Sequence, residues 1–228
     1  MLHLNMSTKK VTKIFLELRY KEIFSLPENK FKILDKLSKN FSEFDTNQAD
    51  RIVMFSPEKR LTAHIFINRL TIDWDDPTSI TDFNKICAHF IKTLNSVIKI
   101  EEPKRIGIRT FLGFKVENQK EIENYILNKF FSANAKNTSE IADEIYNPRL
   151  QISGRKGNIL FNFGIGTFQE QIIQGELPKP AFAVVNNYLN FDIDVYKESG
   201  ISVNNPDSFL NTTQDFIDNK MIQYIKSV

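Results

Sequence analysis

The chain has 228 residues, 41% hydrophobic and 25% charged, with Lys+Arg 30 against Asp+Glu 28. This composition suits one large globular domain or two small ones, and its balanced charge does not by itself demand a nucleic-acid or membrane partner. A single cysteine, Cys87, excludes an internal disulfide framework and any multi-cysteine zinc site, and three histidines leave little for a histidine-rich metal centre.

The first predicted element is VTKIFLELRY at 11–20, where Ile14, Leu16 and Leu18 alternate with Lys13, Phe15, Glu17 and Arg19. That period marks a half-buried strand whose even positions face the core. Residues 28–41 change to helical spacing, with Phe31, Leu34, Leu37 and Phe41 as the apolar stripe. RIVMFS at 51–56 and RLTAHIFINRLTIDW at 60–74 read as two strands joined through Pro57 to Arg60.

Asp76-Pro77-Thr78-Ser79 then supplies capping side chains for a long helix running to about Ile98. KRIGIRTFLGFKV at 104–116 returns to strand character, and Asn118 opens a further helix over 119–131. The polar stretch SANAKNTSE, 132–140, reads as a surface loop. RLQISG at 149–154 and NILFNFGIGTFQEQII at 158–173 form a hairpin turning at 154–157. A loop through Gly175, Pro178 and Pro180 leads to NYLNFDIDVYK, 187–197, with Leu189, Phe191, Ile193 and Val195 on one face. Asn205-Pro206-Asp207 begins a last helix.

These elements predict an α+β fold with a mostly antiparallel sheet. Residues 1–131 form a ferredoxin-like βαββαβ half with its following helix, and 141–228 form a strand-rich half with a C-terminal helix, the two making one continuous unit. The 20 Phe, against 6 Tyr and one Trp, are expected to fill mainly this core. The opening MLHLNMSTKK lacks the apolar run of a signal peptide, and no window approaches a membrane span. A cytoplasmic chain with no membrane partner is therefore expected.

No familiar catalytic loop is present. Gly164-Ile165-Gly166 lacks the third glycine and helix start of a dinucleotide loop, no G-x-x-x-x-G-K-[ST] occurs, and no motif calls for a cofactor. Cys87 and His89, two apart on a helix, point to different faces, so the thiol reads as a buried core group and not as a nucleophile. Two carboxylate pairs stand out: Asp73 with Asp75 at a strand end, and Asp192 with Asp194 on one strand face. If their strands lie side by side they form a candidate metal site; otherwise Asp75, with Asp76, caps the following helix while Asp192 and Asp194 decorate a solvated face. Lys104, Arg105, Arg109, Arg155 and Lys156, with Arg149, are the candidate basic patch for a nucleic acid or a partner. Residues 1–40 carry nine Lys/Arg against four Asp/Glu, whereas 186–228 carry three against six, a polarity that also suits protein association.

Arg105-x-Gly107-x-Arg109 after a long helix, with Thr110 in a usually aromatic place, and the Asp192-x-Asp194 strand before the last helix together resemble a sporadically distributed family of uncharacterised bacterial proteins. The resemblance implies an accessory role in bacterial conflict systems such as antiviral defence. The expectation is a non-catalytic interaction module that binds a protein partner or self-associates as an oligomer. The alternative is a nucleic-acid-binding protein or a metal-dependent phosphodiesterase using Asp73, Asp75, Asp192 and Asp194.

Overall fold

Alternation from Lys13 onward in β1 (Lys9–Arg19) places Ile14, Leu16 and Leu18 in the interior, and this strand lies near the middle of the sheet that organises the chain. The computed structural model describes residues 9–131, 145–174 and 182–227, with side chains at all of these except 171–174 and 182–184. His3 and the two loops predicted at 132–140 and through Gly175, Pro178 and Pro180 lie outside the described residues.

After β1 come α1 (Leu26–Leu37), a short 3₁₀ turn, β2 (Glu43–Asp45), β3 (Arg51–Ser56), β4 (Leu61–Phe66) and β5 (Arg69–Asp75). They are followed by α2 (Ile80–Ile98), β6 (Arg105–Val116), α3 (Gln119–Phe130), β7 (Leu150–Lys156), β8 (Ile159–Gln174) and β9 (Phe182–Lys197). The chain closes with α4 (Asp207–Phe216), a π-helical stretch Ile217–Met221 and α5 (Ile222–Ser227). The strands form one nine-stranded sheet in the order β2-β3-β4-β5-β1-β6-β9-β8-β7, antiparallel at every pairing. The structure is thus α+β with a large antiparallel sheet and a helical C-terminus.

Two helix starts follow from side-chain caps. The Ser79 hydroxyl accepts from the Asp82 N–H at the head of α2, and the Asn118 side chain accepts from the Glu121 N–H at the head of α3. At the β7–β8 turn Gly157 takes a φ of +60°, which costs glycine nothing. β7 continues through Lys156, so the turn sits at Gly157-Asn158 and not four residues wide from Gly154.

Three expectations need correction. The buried stripe of α1 is Leu26, Lys30, Ile33 and Leu37, while Phe31 is 81% exposed. Lys30 takes a core-facing place because its ammonium donates to the backbone carbonyls of Thr46 (3.0 Å) and Gln48, which satisfies a buried charge. Residues 60–74 are two strands, β4 and β5, not one. The turn at Ile67-Asn68 carries no Gly or Pro; its carbonyls accept from the N–H groups of Ile23 (2.7 Å) and Tyr20 (3.0 Å). The last helix is interrupted by the π-helical stretch, which keeps Ile217 and Met221 buried along with Ile222 and Ile225.

All the described α-helices cover the same face of the sheet. One cluster gathers Ile14, Leu16 and Leu18 with α1, α2 and the start of α4. A second gathers Leu112, Phe114, Phe163, Phe191 and Ile193 with α3 and the last helices. β6 runs through both, giving Ile106 and Ile108 to the first and Leu112, Phe114 and Val116 to the second. Thr110 is fully buried at the junction. Phe83, Phe90, Phe114, Phe163 and Phe191 are among the largest fully buried side chains, whereas Phe24 and Phe31 lie largely in solvent. No described helix is long and apolar enough to cross a membrane.

Candidate functional site

No described helix packs on the opposite face of the sheet. Its rows follow from strand register. Phe15, Arg109, Asp194, Asn162 and Ser153 lie side by side across β1, β6, β9, β8 and β7; the next row holds Lys13, Phe111, Asp192, Gly164 and Gln151. The odd positions of β6 and the even positions of β9 are thereby gathered on one surface, as alternation requires.

On this surface the arginines of β6 meet the carboxylates of β9. The Arg105 guanidinium donates from Nη1 to Glu17 Oε1 (2.7 Å) and from Nη2 to Asp194 Oδ2 (3.0 Å), with its Cζ 4.6 Å from the Tyr196 ring centre. Arg19 Nε also donates to Glu17 Oε1, at 2.9 Å. Gly107 makes this possible: a Cβ there would stand 3.2 Å from both Arg105 Nη atoms and 3.0 Å from Tyr196 Cβ. Glycine at the centre of R-x-G-x-R therefore lets Arg105 lie along its own strand between two carboxylates. Arg109 Nε donates to Asp192 Oδ1 at 2.8 Å, its Nη2 pairs with Oδ2, and the guanidinium lies over Phe111.

Burial separates the two pairs. Arg105 and Asp194 each keep 18% side-chain exposure and Glu17 keeps 9%, whereas Arg109 keeps 50%. Burial raises the pKa of Asp194 above its ordinary value, against the opposing pull of Arg105 and the hydrogen bond from Asn162.

The two carboxylate pairs do not come together. β1 and β6 stand between β5 and β9, three strand spacings or roughly 14 Å of sheet. Lys13 neutralises Asp73 (3.0 Å) and Asp75 (3.4 Å), while Arg105 and Arg109 neutralise Asp194 and Asp192. Among the described residues no three His, Cys, Asp or Glu side chains are grouped to hold a metal. The cap of α2 is Ser79, and Asp76 instead pairs with Lys10 (2.6 Å) and Arg60.

The basic residues are scattered. Lys104 precedes β6 and is exposed, its N–H donating to the Arg19 carbonyl. Arg155 and Lys156 lie exposed beside the β7–β8 turn, away from Arg105 and Arg109. His64 stacks on Phe66 at 5.9 Å, and its Nδ1 is buried without a hydrogen-bond partner among the described residues. Cys87 is fully buried.

The open face also carries a trough that the motifs did not announce. One part, of about 590 Å³, is lined by Arg109, Phe111, Arg149, Asp192, Thr167 and Phe168 above the backbone of Gly164 and Gly166. A second part, about 420 Å³, shares Arg109, Asn162 and Asp194 with the first and continues to Arg19 and Glu198. Glycines inside a strand signal close approach by another group. Here a Cβ at Gly166 would lie 3.4 Å from Arg149 Cγ, so the Arg149 stem rests on bare backbone. That glycine spacing was the available sequence signal; the two half-exposed phenylalanines gave none.

Compared with protein-family models and with curated proteins, the chain matches none of them.

Proposed function

We propose that the protein is a non-catalytic interaction module whose uncovered sheet face binds a segment of a protein partner or another copy of the chain. The observation that supports it is the pair of adjoining hollows on that face, the larger floored by Gly164 and Gly166, with ion pairs that are already self-matched along them. A volume of this order lies in the range of ligand-binding clefts. Paired charges give orientation and partner choice without a strong net field.

We also read β1, α1, β4, β5, α2 and β6 as a ferredoxin-like unit with β2 and β3 added at one edge. The strand order β4-β5-β1-β6 and the packing of α1 against α2 support it. An accessory role in bacterial conflict systems is the context that the sequence resemblance implies for such a module.

Size-exclusion chromatography with light scattering, together with co-purification on the tagged chain, tests the main reading. The expected result is a dimer or a stoichiometric complex that Arg109→Glu disrupts while circular dichroism stays unchanged. A strict monomer that captures nothing overturns it.

The alternative is nucleic-acid contact through Arg155 and Lys156, which have no carboxylate within 4 Å among the described residues. Binding to a DNA or RNA oligonucleotide that weakens steeply with salt and with Arg155→Gln/Lys156→Gln is its expected signature.

A further inference from the structure

We propose that the trough beside Arg149 takes an extended acidic segment of a partner protein, with a Glu or Asp side chain held by the Arg149 guanidinium. This rests on the reading of the open sheet face as a binding surface. Three observations lead to it.

The first is charge. Of the ionised groups along the larger part of the trough, Arg109 is matched by Asp192 and Asp194 by Arg105. Arg149 has no carboxylate within 4 Å among the described residues. It therefore brings positive charge that nothing described compensates. Asn190 and Gln151, which line the same part of the trough, are neutral hydrogen-bonding groups. A guanidinium in that setting suits a carboxylate, which it can grip by two parallel N–H bonds.

The second is shape. The two parts of the trough adjoin at Arg109, Asn162 and Asp194, which line both, and together cross β7, β8, β9, β6 and β1. Four strand spacings make roughly 19 Å, the length of about six residues of extended chain. A compact small molecule would fill only one part. The bare backbone of Gly164 and Gly166 leaves space for a main chain to lie low, and half-exposed Phe111 and Phe168 flank it with apolar surface.

The third concerns the competing class of partner. A nucleic acid would bring a phosphate at every nucleotide against Glu17, Asp192 and Asp194, whereas a polypeptide needs only one carboxylate placed at Arg149. Phosphate binding draws its strength from unmatched cations, and most cations on this face are matched. The observations favour a polypeptide.

The test is an amide chemical-shift titration of the ¹⁵N-labelled protein with a blocked hexapeptide of three Glu-Val repeats. The expected result is saturable shifts at Gly164, Gly166, Arg149 and Asp192, with affinity falling at least fivefold for the Gln-Val analogue and for Arg149→Gln. Arg149 is exposed, so the variant should keep the wild-type spectrum away from the trough. Absence of shifts at these amides up to millimolar peptide overturns the proposal, as does equal binding of the Gln-Val analogue or no effect of Arg149→Gln. Succinate reproducing the same shifts at the same affinity overturns the extended-chain part, and a 12-nucleotide single strand binding the same amides more tightly overturns the choice of a polypeptide. If the chain self-associates or holds a protein partner through Arg109 yet ignores the peptide, this inference fails and the broader reading stands. A strict monomer that captures nothing removes the broader reading first.

Discussion

The Arg105 side chain lies across Gly107, with both terminal nitrogens 3.2 Å from where a Cβ would stand. One guanidinium is thereby shared between Glu17 on one neighbouring strand and Asp194 on the other. Gly107→Val is expected to displace Arg105 and press on Tyr196, leaving Glu17 and Asp194 partly buried without their main cation. A loss of about 2 kcal/mol or more follows from breaking such contacts. Urea unfolding measures it, and an unchanged midpoint would show that Arg105 does not depend on the glycine.

The two arginines of β6 should separate cleanly by exposure. Arg105→Met leaves an almost buried Glu17 with only the half-exposed Arg19, and Asp194 without its main cation, and is expected to lower stability by about 2–4 kcal/mol. Arg109→Met breaks a pair whose arginine is half in solvent, where screening and side-chain entropy leave less than about 1 kcal/mol. Paired denaturation curves in the same buffer check the ranking; equal losses would contradict it.

Two groups give stability opposite slopes with pH. Burial first of all raises Asp194 above the ordinary 3.8, so its contribution is complete below that value and is lost as pH rises through the raised one. Asp194→Asn should therefore flatten the acid-side profile just above pH 4. Burial lowers His64 below the ordinary 6.5, helped by Arg51 and Arg69 and opposed by Asp73. Its contribution is full above 6.5 and is lost as pH falls through the lowered value, so His64→Phe should remove a decline in stability below pH 6.5. Unfolding midpoints taken at half-unit steps from pH 4 to 8 resolve the two.

Thr110 is fully buried and its hydroxyl finds no partner among the described residues. Thr110→Val keeps the shape and removes the unbonded polar atom. A gain of about 1 kcal/mol is expected, read as a higher thermal midpoint. A loss would mean that the hydroxyl is satisfied in solution.

The Cys87 thiol is wholly enclosed in α2, and burial pushes its pKa well above the ordinary thiol value. Ellman's reagent at pH 8 should leave it unmodified in the native protein and titrate one thiol in 6 M guanidinium. Rapid native labelling would show that the helix opens.

Much of this architecture is legible in single segments. β6, β9 and β1 from Lys13 onward alternate regularly, although a register shift between Val11 and Lys13 breaks the start of β1, and α2 and α3 begin at hydrogen-bonding caps. The stripe of α1 is not legible, because Lys30 turns inward to serve carbonyls at Thr46 and Gln48 that no local rule connects to it. Nor is the Ile67-Asn68 turn, whose carbonyls accept from a segment more than forty residues earlier. The site shows the same division. R-x-G-x-R and D-x-D are each visible as patterns, but their mutual pairing exists only because β6 and β9 are neighbours. Arg149 stands out only once Gly166 is seen beneath it.

The position of β6 has a consequence for how the chain is made. Its inner edge pairs with β1, finished long before it, but its outer edge pairs along Ile106–Val116 with residues 187–197, translated some seventy residues after it is complete. At a ribosomal rate of roughly 5–20 residues per second, that edge of unpaired N–H and C=O groups waits several seconds for its partner. The strand that unites both halves of the core is therefore the one most open to mispairing during synthesis, and chaperone dependence should be greatest while residues 117–186 are emerging.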